Sequence, residues 1–534
     1  MPQKRQVGRN LRAELRQAEK QREELNRIGI ALSSERDVDK LLELILRKSR
    51  EITGADAGSL YLIEESAEGE RQLRFKLTQN DSRQFPFRES VFAVTENSTA
   101  GYVALHGEPL NLPDAYRIPK RRPYRFNESF DEESGYRTRS LLTLPMKNPK
   151  GEVLGILQLI NCKRRGGTRL KNRADVERVV QAFPEQAVRL AMSLASQAAV
   201  ALENSKLYDE IASLFEGFVT AAVTAIEQRD PTTSGHSLRV STFTQGLAET
   251  VDAAAVGPYA GTHFSREQMK EIRYAALLHD FGKVGVREEV LVKAKKLYPA
   301  QLELVRHRFD YIRKDLEAGV LHQKIEALLG RPREEALAEL ARLDRDSESI
   351  FREIDDCFQF ILEANEPTVL QGGHFERLLE IARRSYHDTR GIEHPYLDPD
   401  EVRFLSIPRG SLDAAERTQI ESHVAHTFRF LSQIPWTSDL KQVPTIARAH
   451  HEKLNGTGYP YKLRGDEIPL PAKMMTICDI YDALSASDRP YKKAVPTERA
   501  LSILDVSVRD NELDPELFRL FLEARIYERV AQRP

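Results

Sequence analysis

The chain has 534 residues, 41% hydrophobic and 30% charged, and its 79 basic and 81 acidic side chains leave a formal charge of -2. That length gives room for two or more domains with their own cores, and the balanced charge excludes a global field that would recruit nucleic acid or an anionic membrane. Three widely spaced cysteines (Cys162, Cys357, Cys478) form neither a disulfide framework nor a zinc ribbon, and no apolar run reaches the roughly 20 residues of a membrane span, so a cytoplasmic protein is expected.

Residues 1–26 are a charged lead-in whose text RAELRQAEKQREEL (12–25) predicts a solvated or self-associating helix. An amphipathic helix follows, with Leu41, Leu42, Ile45 and Leu46 on one side and Ser33 or Ser34 as its cap. SLYLIEE, QLRFKLT, SLLTLPMKN and VLGILQLIN are short β-rich runs, the last two joined by the turn text PKGE. Helices flanking antiparallel strands predict an α+β sensor-sized domain over residues 27–183. Residues 184–229 read as one long connecting helix, with apolar positions recurring at three and four and Gly217 its only glycine. Its Ala and Leu stripe is too apolar to leave in water, so it either pairs with a second copy of the chain or packs against its own two domains.

From Asp230 to the end nearly every segment reads as helix, predicting an all-α domain over 230–534. Twelve of the 13 histidines fall there, His106 being the exception. In VPTIARAHH, Val443, Ile446, Ala447, His450 and His451 recur at helical spacing, and in IRYAALLHD so do Ile272, Ala275, Ala276, His279 and Asp280. Asp479 shares a stripe with Ala472, Met475 and Thr476; His423 shares one with Ile420, Val424 and Thr427, which leaves His426 off that face. His236 opens a helix on the same side as Val240 and Phe243. One inward histidine is ordinary, but burying seven imidazole and carboxylate groups on five helices without mutual satisfaction would cost several kcal/mol. Metal ions supply that satisfaction: such ligands suit iron, manganese or zinc, and the lack of thiolates argues against a structural zinc site. Two cations about 4 Å apart can share a water whose pKa falls towards ~7, which is machinery for phosphoester hydrolysis. No Ser-His-Asp or Cys-His signature and no phosphate-binding glycine loop competes with that reading.

HDFGKVG at 279–285 with HHEKLNGTGYP at 450–460 resembles the HD-GYP phosphodiesterases, helical output domains of bacterial signalling proteins that hydrolyse cyclic dinucleotides, chiefly cyclic di-GMP. TTSGHSLRV, ESHVAHTF and CDIYDALSASDRPYKKA extend the likeness. Upstream, FDEESGYRTRSLLTLPMKNPKGEVLGILQLINCK at 130–163 resembles the GAF sensor domains, with Asn161, Lys163 and Phe183 close to a motif of those in cyclic-nucleotide phosphodiesterases and adenylyl cyclases. The resemblance implies two divalent metal ions, iron or manganese, bridged by Asp280. His236, His279 and Asp479 would complete one, and His423, His450 and His451 the other. Lys283 would neutralise the scissile phosphate, and Tyr459, Arg489 and Lys492 would hold the dinucleotide.

Three departures from the family stand out. Thr232 occupies a position where some members carry a third-metal glutamate, and Asn455 one where an aspartate is common. An insertion at about 298–408 has no assigned role. Glu452 falls off the stripe and reads as a neighbour of the ligands or a solvent residue. The activity expected is hydrolysis of cyclic di-GMP to linear pGpG and onward to GMP, regulated by a GAF domain with a small ligand such as a cyclic nucleotide, in a homodimer joined through the connecting helix. Hydrolysis of a hybrid GMP-AMP ring, or a catalytically weak receptor that signals to a protein partner, are the alternatives.

Overall fold

A computed structural model describes residues 19, 22–23, 25–35, 37–66, 68–83, 87–164, 167–230, 235–368, 374–486 and 494–529. Most of the lead-in 12–25, and Thr232, Arg489 and Lys492, lie outside the described residues. The chain packs into two compact units, residues 1–215 and 216–534.

In the first unit a helical stretch ending at Ser34 is followed by helix α1 (Val38–Thr53), which buries Leu41, Leu42, Ile45 and Leu46. Its cap is Asp37, not Ser33 or Ser34: the Asp37 carboxylate accepts from the N–H groups of Asp39 and Lys40, while both serines fall in a preceding helical stretch. A carboxylate there satisfies two orphan donors and meets the positive end of the helix dipole, which a hydroxyl does less well. Strands β1 (Ala55–Glu65), β2 (Arg71–Asn80), β3 (Ser90–Ala93), β4 (Leu110–Leu112), β5 (Leu141–Lys147), β6 (Val153–Lys163) and β7 (Val180–Gln181) build one antiparallel sheet, with helix α2 (Thr99–His106) between β3 and β4 in sequence. Its order is β3-β2-β1-β6-β5-β4, with β7 added beside β6. The β5–β6 turn is closed by Asn148, whose side-chain oxygen accepts from the N–H groups of Lys150 and Glu152. Helix α3 (Glu185–Arg229) runs unbroken for 45 residues, and the boundary between the units falls inside it. Its Ala191, Leu194, Ala195, Ala198 and Leu202 join the core made by α1 and the sheet, whereas Leu207, Ile211 and Leu214 are 48%, 64% and 76% exposed.

Among the described residues, the regular structure of the second unit is helical except for one small hairpin. Helices α4 (His236–Asp252) and α5 (Arg266–Leu278) precede the insertion, in which α6 (Pro299–Gly330) and α7 (Arg333–Ala364) pack on each other. Helix α8 (His374–Ala382), the paired strands β8 (Ser385–His387) and β9 (Glu393–Pro395), and α9 (Pro399–Leu405) complete the insertion. The hairpin is a small addition to the all-α domain expected. Three-residue strands carry too little periodicity to register in sequence, and the Asp388 carboxylate, accepting from the N–H groups of Arg390 and Ile392, makes the turn. The insertion has a core of its own around Val305, Phe309, Ile312, Ile361, Leu378 and Leu405. Helices α10 (Ala414–Leu431), α11 (Val443–Ala447), α12 (Leu470–Ser485), α13 (Thr497–Arg509) and α14 (Pro515–Glu523) follow. The buried Lys293 ammonium joins the insertion to the start of α10, bonding both oxygens of Glu416 at 2.7 and 2.8 Å between the rings of Tyr298 and Phe404. No helix among the described residues is long and apolar enough to cross a membrane.

Candidate metal centre

Helix α5 ends at Leu278, so His279 and Asp280 sit at the turn where it gives way to a short 3-10 segment, Phe281–Gly285. Gly282 makes this turn possible. A Cβ there would lie 1.9 Å from the His423 carbonyl oxygen and 2.4 Å from the Thr427 nitrogen, so only glycine lets the turn lie against α10. The Gly282 N–H donates to Thr427 Oγ1 (2.8 Å), which donates to the His279 carbonyl (2.9 Å). Thr476 on α12 does the same for the His450 carbonyl at 2.8 Å. The threonines on the two apolar stripes thus tie down the backbone that carries the histidines. Helix α11 stops at Ala447, short of the expected His451. Tighter bonds, from Ala449 N–H to the Ile446 carbonyl and from Glu452 N–H to the Ala449 carbonyl, replace the α pattern there. Both rings still reach the cluster.

All seven predicted groups converge. His423, His450 and His451 form one set of potential ligand atoms, His236, His279 and Asp280 a second, and His279, His450 and Asp479 a third, with atoms inside each set within 4.8 Å of one another. The two carboxylates span the sets. Asp280 turns Oδ1 to His423 Nε2 (3.3 Å) and Oδ2 to the Nε2 atoms of His279 (3.5 Å) and His236 (3.7 Å). Asp479 turns Oδ1 to His236 (3.1 Å) and His279 (3.8 Å), and Oδ2 to His451 Nδ1 (3.8 Å).

Whether this cluster suits a metal is decided by its tautomers. The Nδ1 atoms of His279, His423 and His450 each face a backbone carbonyl three residues earlier, at 2.7, 2.6 and 2.6 Å. A carbonyl only accepts, so each Nδ1 carries hydrogen and each neutral ring leaves its Nε2 lone pair bare. Those three Nε2 atoms are buried and have no hydrogen-bond partner. For His279 and His423 the lone pairs face carboxylate oxygens, an acceptor against an acceptor. That arrangement is unfavourable unless a cation lies between them, so the donor set fits metal ions.

The electrostatics agree. Burial holds His279 and His450 below the ordinary imidazole range and pushes His451 down to about 3, keeping these rings neutral and ready to ligate. Burial would raise Asp280 and Asp479, but Lys283 and the neighbouring imidazoles outweigh it for Asp280, and His236 outweighs it for Asp479; both stay below the usual carboxylate range. His236 is the exception among the rings. Burial would lower it, yet its bonds to Asp479 and Asp482 raise it to about 9.

Several residues of this site escaped the sequence reading. Asp482 accepts from His236 Nδ1 at 2.7 Å and from Arg239 Nε at 2.6 Å, orienting the ring from behind. It follows Asp479 by three residues on α12, a helical-face signal that was there to be read. Asp230, which is buried, bonds Lys283 Nζ at 3.2 Å, and the same ammonium meets Asp280 Oδ2 at 2.8 Å. Glu452 is buried and not a solvent residue: its two oxygens accept from the N–H groups of Tyr461 (2.7 Å) and Leu463 (2.9 Å), pinning the glycine-rich loop. In that loop Asn455 Oδ1 accepts from the Thr457 N–H (3.0 Å) and hydroxyl (2.7 Å), and its amide donates to the Asp510 carbonyl (3.1 Å). Tyr459 lies against His451 with ring centroids 4.7 Å apart, and burial raises its pKa, so it stays a neutral phenol.

Known proteins match along the same lines. A family profile described as a GAF domain matches residues 37–202, and profiles described as HD domains match 233–359 and 397–517. The fold and the site therefore define a GAF-domain protein with a helical HD-domain region. That GAF and HD architecture matches the resemblance drawn from the sequence motifs. A 3'3'-cGAMP-specific phosphodiesterase of Vibrio cholerae is 43% identical over 115 residues, 22% of this chain and 24% of that protein. A cyclic di-GMP phosphodiesterase of Pseudomonas aeruginosa is 30% identical over 284 residues, 51% of this chain and 60% of that protein. A dual 3',5'-cyclic-AMP and -GMP phosphodiesterase of Drosophila melanogaster is 33% identical over 138 residues, 24% of this chain and 9% of that protein. The chain spans less than two thirds of each of these relatives.

Proposed function

We propose that the chain is a metal-dependent phosphodiesterase that opens cyclic di-GMP to linear pGpG and carries it on to GMP. The observation that supports this reading is the set of buried, unpartnered imidazole Nε2 atoms facing carboxylate oxygens beside the buried ammonium of Lys283. Two divalent ions, iron or manganese, suit an imidazole and carboxylate donor set without thiolates. When bound, they supply Lewis acidity and a water of lowered pKa.

The protein's own groups do the rest. Asp280, His236, His279 and Asp479 would hold one ion, and Asp280, His423, His450 and His451 the other. Lys283 stays protonated because Asp280 and Asp230 outweigh the effect of its burial, so it presents a fixed positive charge to the scissile phosphate. Tyr459 holds the dinucleotide by its phenol and ring face, and Arg489 and Lys492 hold phosphate or guanine edges. The GAF domain senses a small ligand, cyclic nucleotide being the class its motif resembles, and regulates the output through α3. Leu207, Ile211 and Leu214, exposed at four- and three-residue spacing on α3, support a homodimer through that helix.

The test is to give purified chain, loaded with manganese or anaerobically with iron, cyclic di-GMP and to follow linear product. Tight binding without product would turn the protein into a receptor. Because the Vibrio cholerae relative is named for 3'3'-cGAMP, that ring is the second substrate reading. Parallel rates on the two nucleotides separate them.

A further inference from the structure

The last turn of α3 does more than end a helix. Helix α4 begins at His236, and its N-cap, Gly235, has no side chain to cap the first N–H groups. Glu227 on α3 takes over, its Oε2 accepting from the Gly235 N–H at 2.9 Å and its Oε1 from the Ser237 N–H at 3.2 Å, one on either side of His236. Two residues on, the Arg229 guanidinium donates to the carbonyls of Val284 and Val286, directly after Lys283. Asp230 then holds the Lys283 ammonium itself, sharing it with Asp280. A turn of four residues thus grips both sides of the metal centre. It fixes the backbone around His236 on one and the loop and ammonium of Lys283 on the other. Earlier on the same helix, Glu216 accepts from the Tyr274 hydroxyl at 2.8 Å and pairs with Arg273, both on α5 shortly before His279.

We infer that Glu227 and Asp230 are positioning residues of the metal centre, holding His236 and Lys283 at a fixed separation through the end of the connecting helix. Neither touches the reacting atoms. Each acts through a group that does, and because they sit within one turn, a shift of the helix end moves both together. The inference rests on the metal-centre reading above, and its test is independent of turnover.

Full-length apo protein is titrated with Mn2+ alone, following heat or the manganese EPR signal, with far-UV CD and thermal melting as controls of folding. Glu227→Ala is expected to raise the Kd of one Mn2+ at least tenfold while melting stays near wild type, and Glu227→Gln, which keeps an acceptor oxygen, to stay within threefold. Asp230→Asn is expected to weaken Mn2+ binding at least fivefold, because Lys283 then bears on Asp280 alone. In the double variant the two effects should fall short of multiplying, as coupled positions do. A folded Glu227→Ala with wild-type affinity would overturn the inference. If that variant does not fold, unchanged Mn2+ affinity in Asp230→Asn would do so. Absence of product from either cyclic dinucleotide would strike at the phosphodiesterase reading and leave these affinities to be judged by themselves.

Discussion

Two buried clusters, one in each unit, treat charge in opposite ways. In the first, Asp56 is wholly buried yet fully engaged: it accepts from Lys163 Nζ (3.0 Å), the Tyr136 hydroxyl (2.7 Å) and the Ser82 hydroxyl (2.8 Å), and Lys163 also reaches Asp81 at 3.0 Å. Asn161, in a left-handed conformation at φ 57°, spends its amide on the Arg139 N–H and the Arg137 carbonyl. Both oxygens of Asp56 are thereby taken by donors. In the second unit, the imidazoles of His279, His423 and His450 are equally buried but end in bare nitrogens. Where buried polar groups close on one another they hold a fold; where they stop short around a shared gap they announce a ligand.

The sharpest way to break this contrast is to remove one partner from the closed network. Lys163→Ala leaves Asp56 buried without its cation and should cost about 3–5 kcal/mol in urea unfolding of the first unit, with metal content unchanged. The open cluster should respond the other way round. His451→Ala is expected to lose one metal equivalent and turnover by on the order of 100-fold, while thermal melting of the apo chain barely moves; unaltered metal content would mean the ligand set is wrong.

A third test lies between these regimes. Lys296 is wholly buried with one carbonyl acceptor, that of Leu405 at 3.3 Å, and burial lowers its pKa from 10.5 to about 8. Lys296→Met should therefore stabilise the chain at neutral pH by on the order of 1–3 kcal/mol. Between about 8 and 10.5 the unfolded lysine holds a proton that the folded one has lost, so wild-type stability rises with pH there and the advantage of the variant fades. Denaturation at pH 7 and pH 10 checks both.

Smaller still is the proton count. His236, raised to about 9 without metal, must be neutral to ligate, so binding near pH 7 should release about one proton, and affinity should climb until about pH 9. Calorimetry in buffers of different ionisation enthalpy measures it. The least effect is expected from Asn455→Asp: a carboxylate keeps both bonds to Thr457 and loses only the one to the Asp510 carbonyl, so turnover should stay within about threefold and stability within about 1 kcal/mol.

Much of this was legible in the sequence because apolar periodicity carries the ligands. His279, His423 and Asp479 each ride a stripe whose other members are core residues, and the β-rich runs and the PKGE turn announce the antiparallel sheet. What escaped notice lacks such a carrier. Glu227 and Asp230 are two acids among 81, at the end of a helix with no visible tie to the histidines until the chain folds. The early end of α11 depends on tertiary bonds that compete with helix propensity, and the β8–β9 hairpin is too short for any period to show.

The contact at Gly282 acts as a length standard. Backbone meets backbone there, beside the bond from the Gly282 N–H to Thr427 Oγ1, so this close approach holds the Asp280 turn against α10 and keeps Asp280 within 3.3 Å of His423. A single methyl at that point would wedge the two apart by on the order of 1 Å, since packed interiors have no slack to absorb it. The spacing of these candidate ligands is thus gauged by the smallest residue in the HDFGK sequence and not by the imidazole or the carboxylate itself.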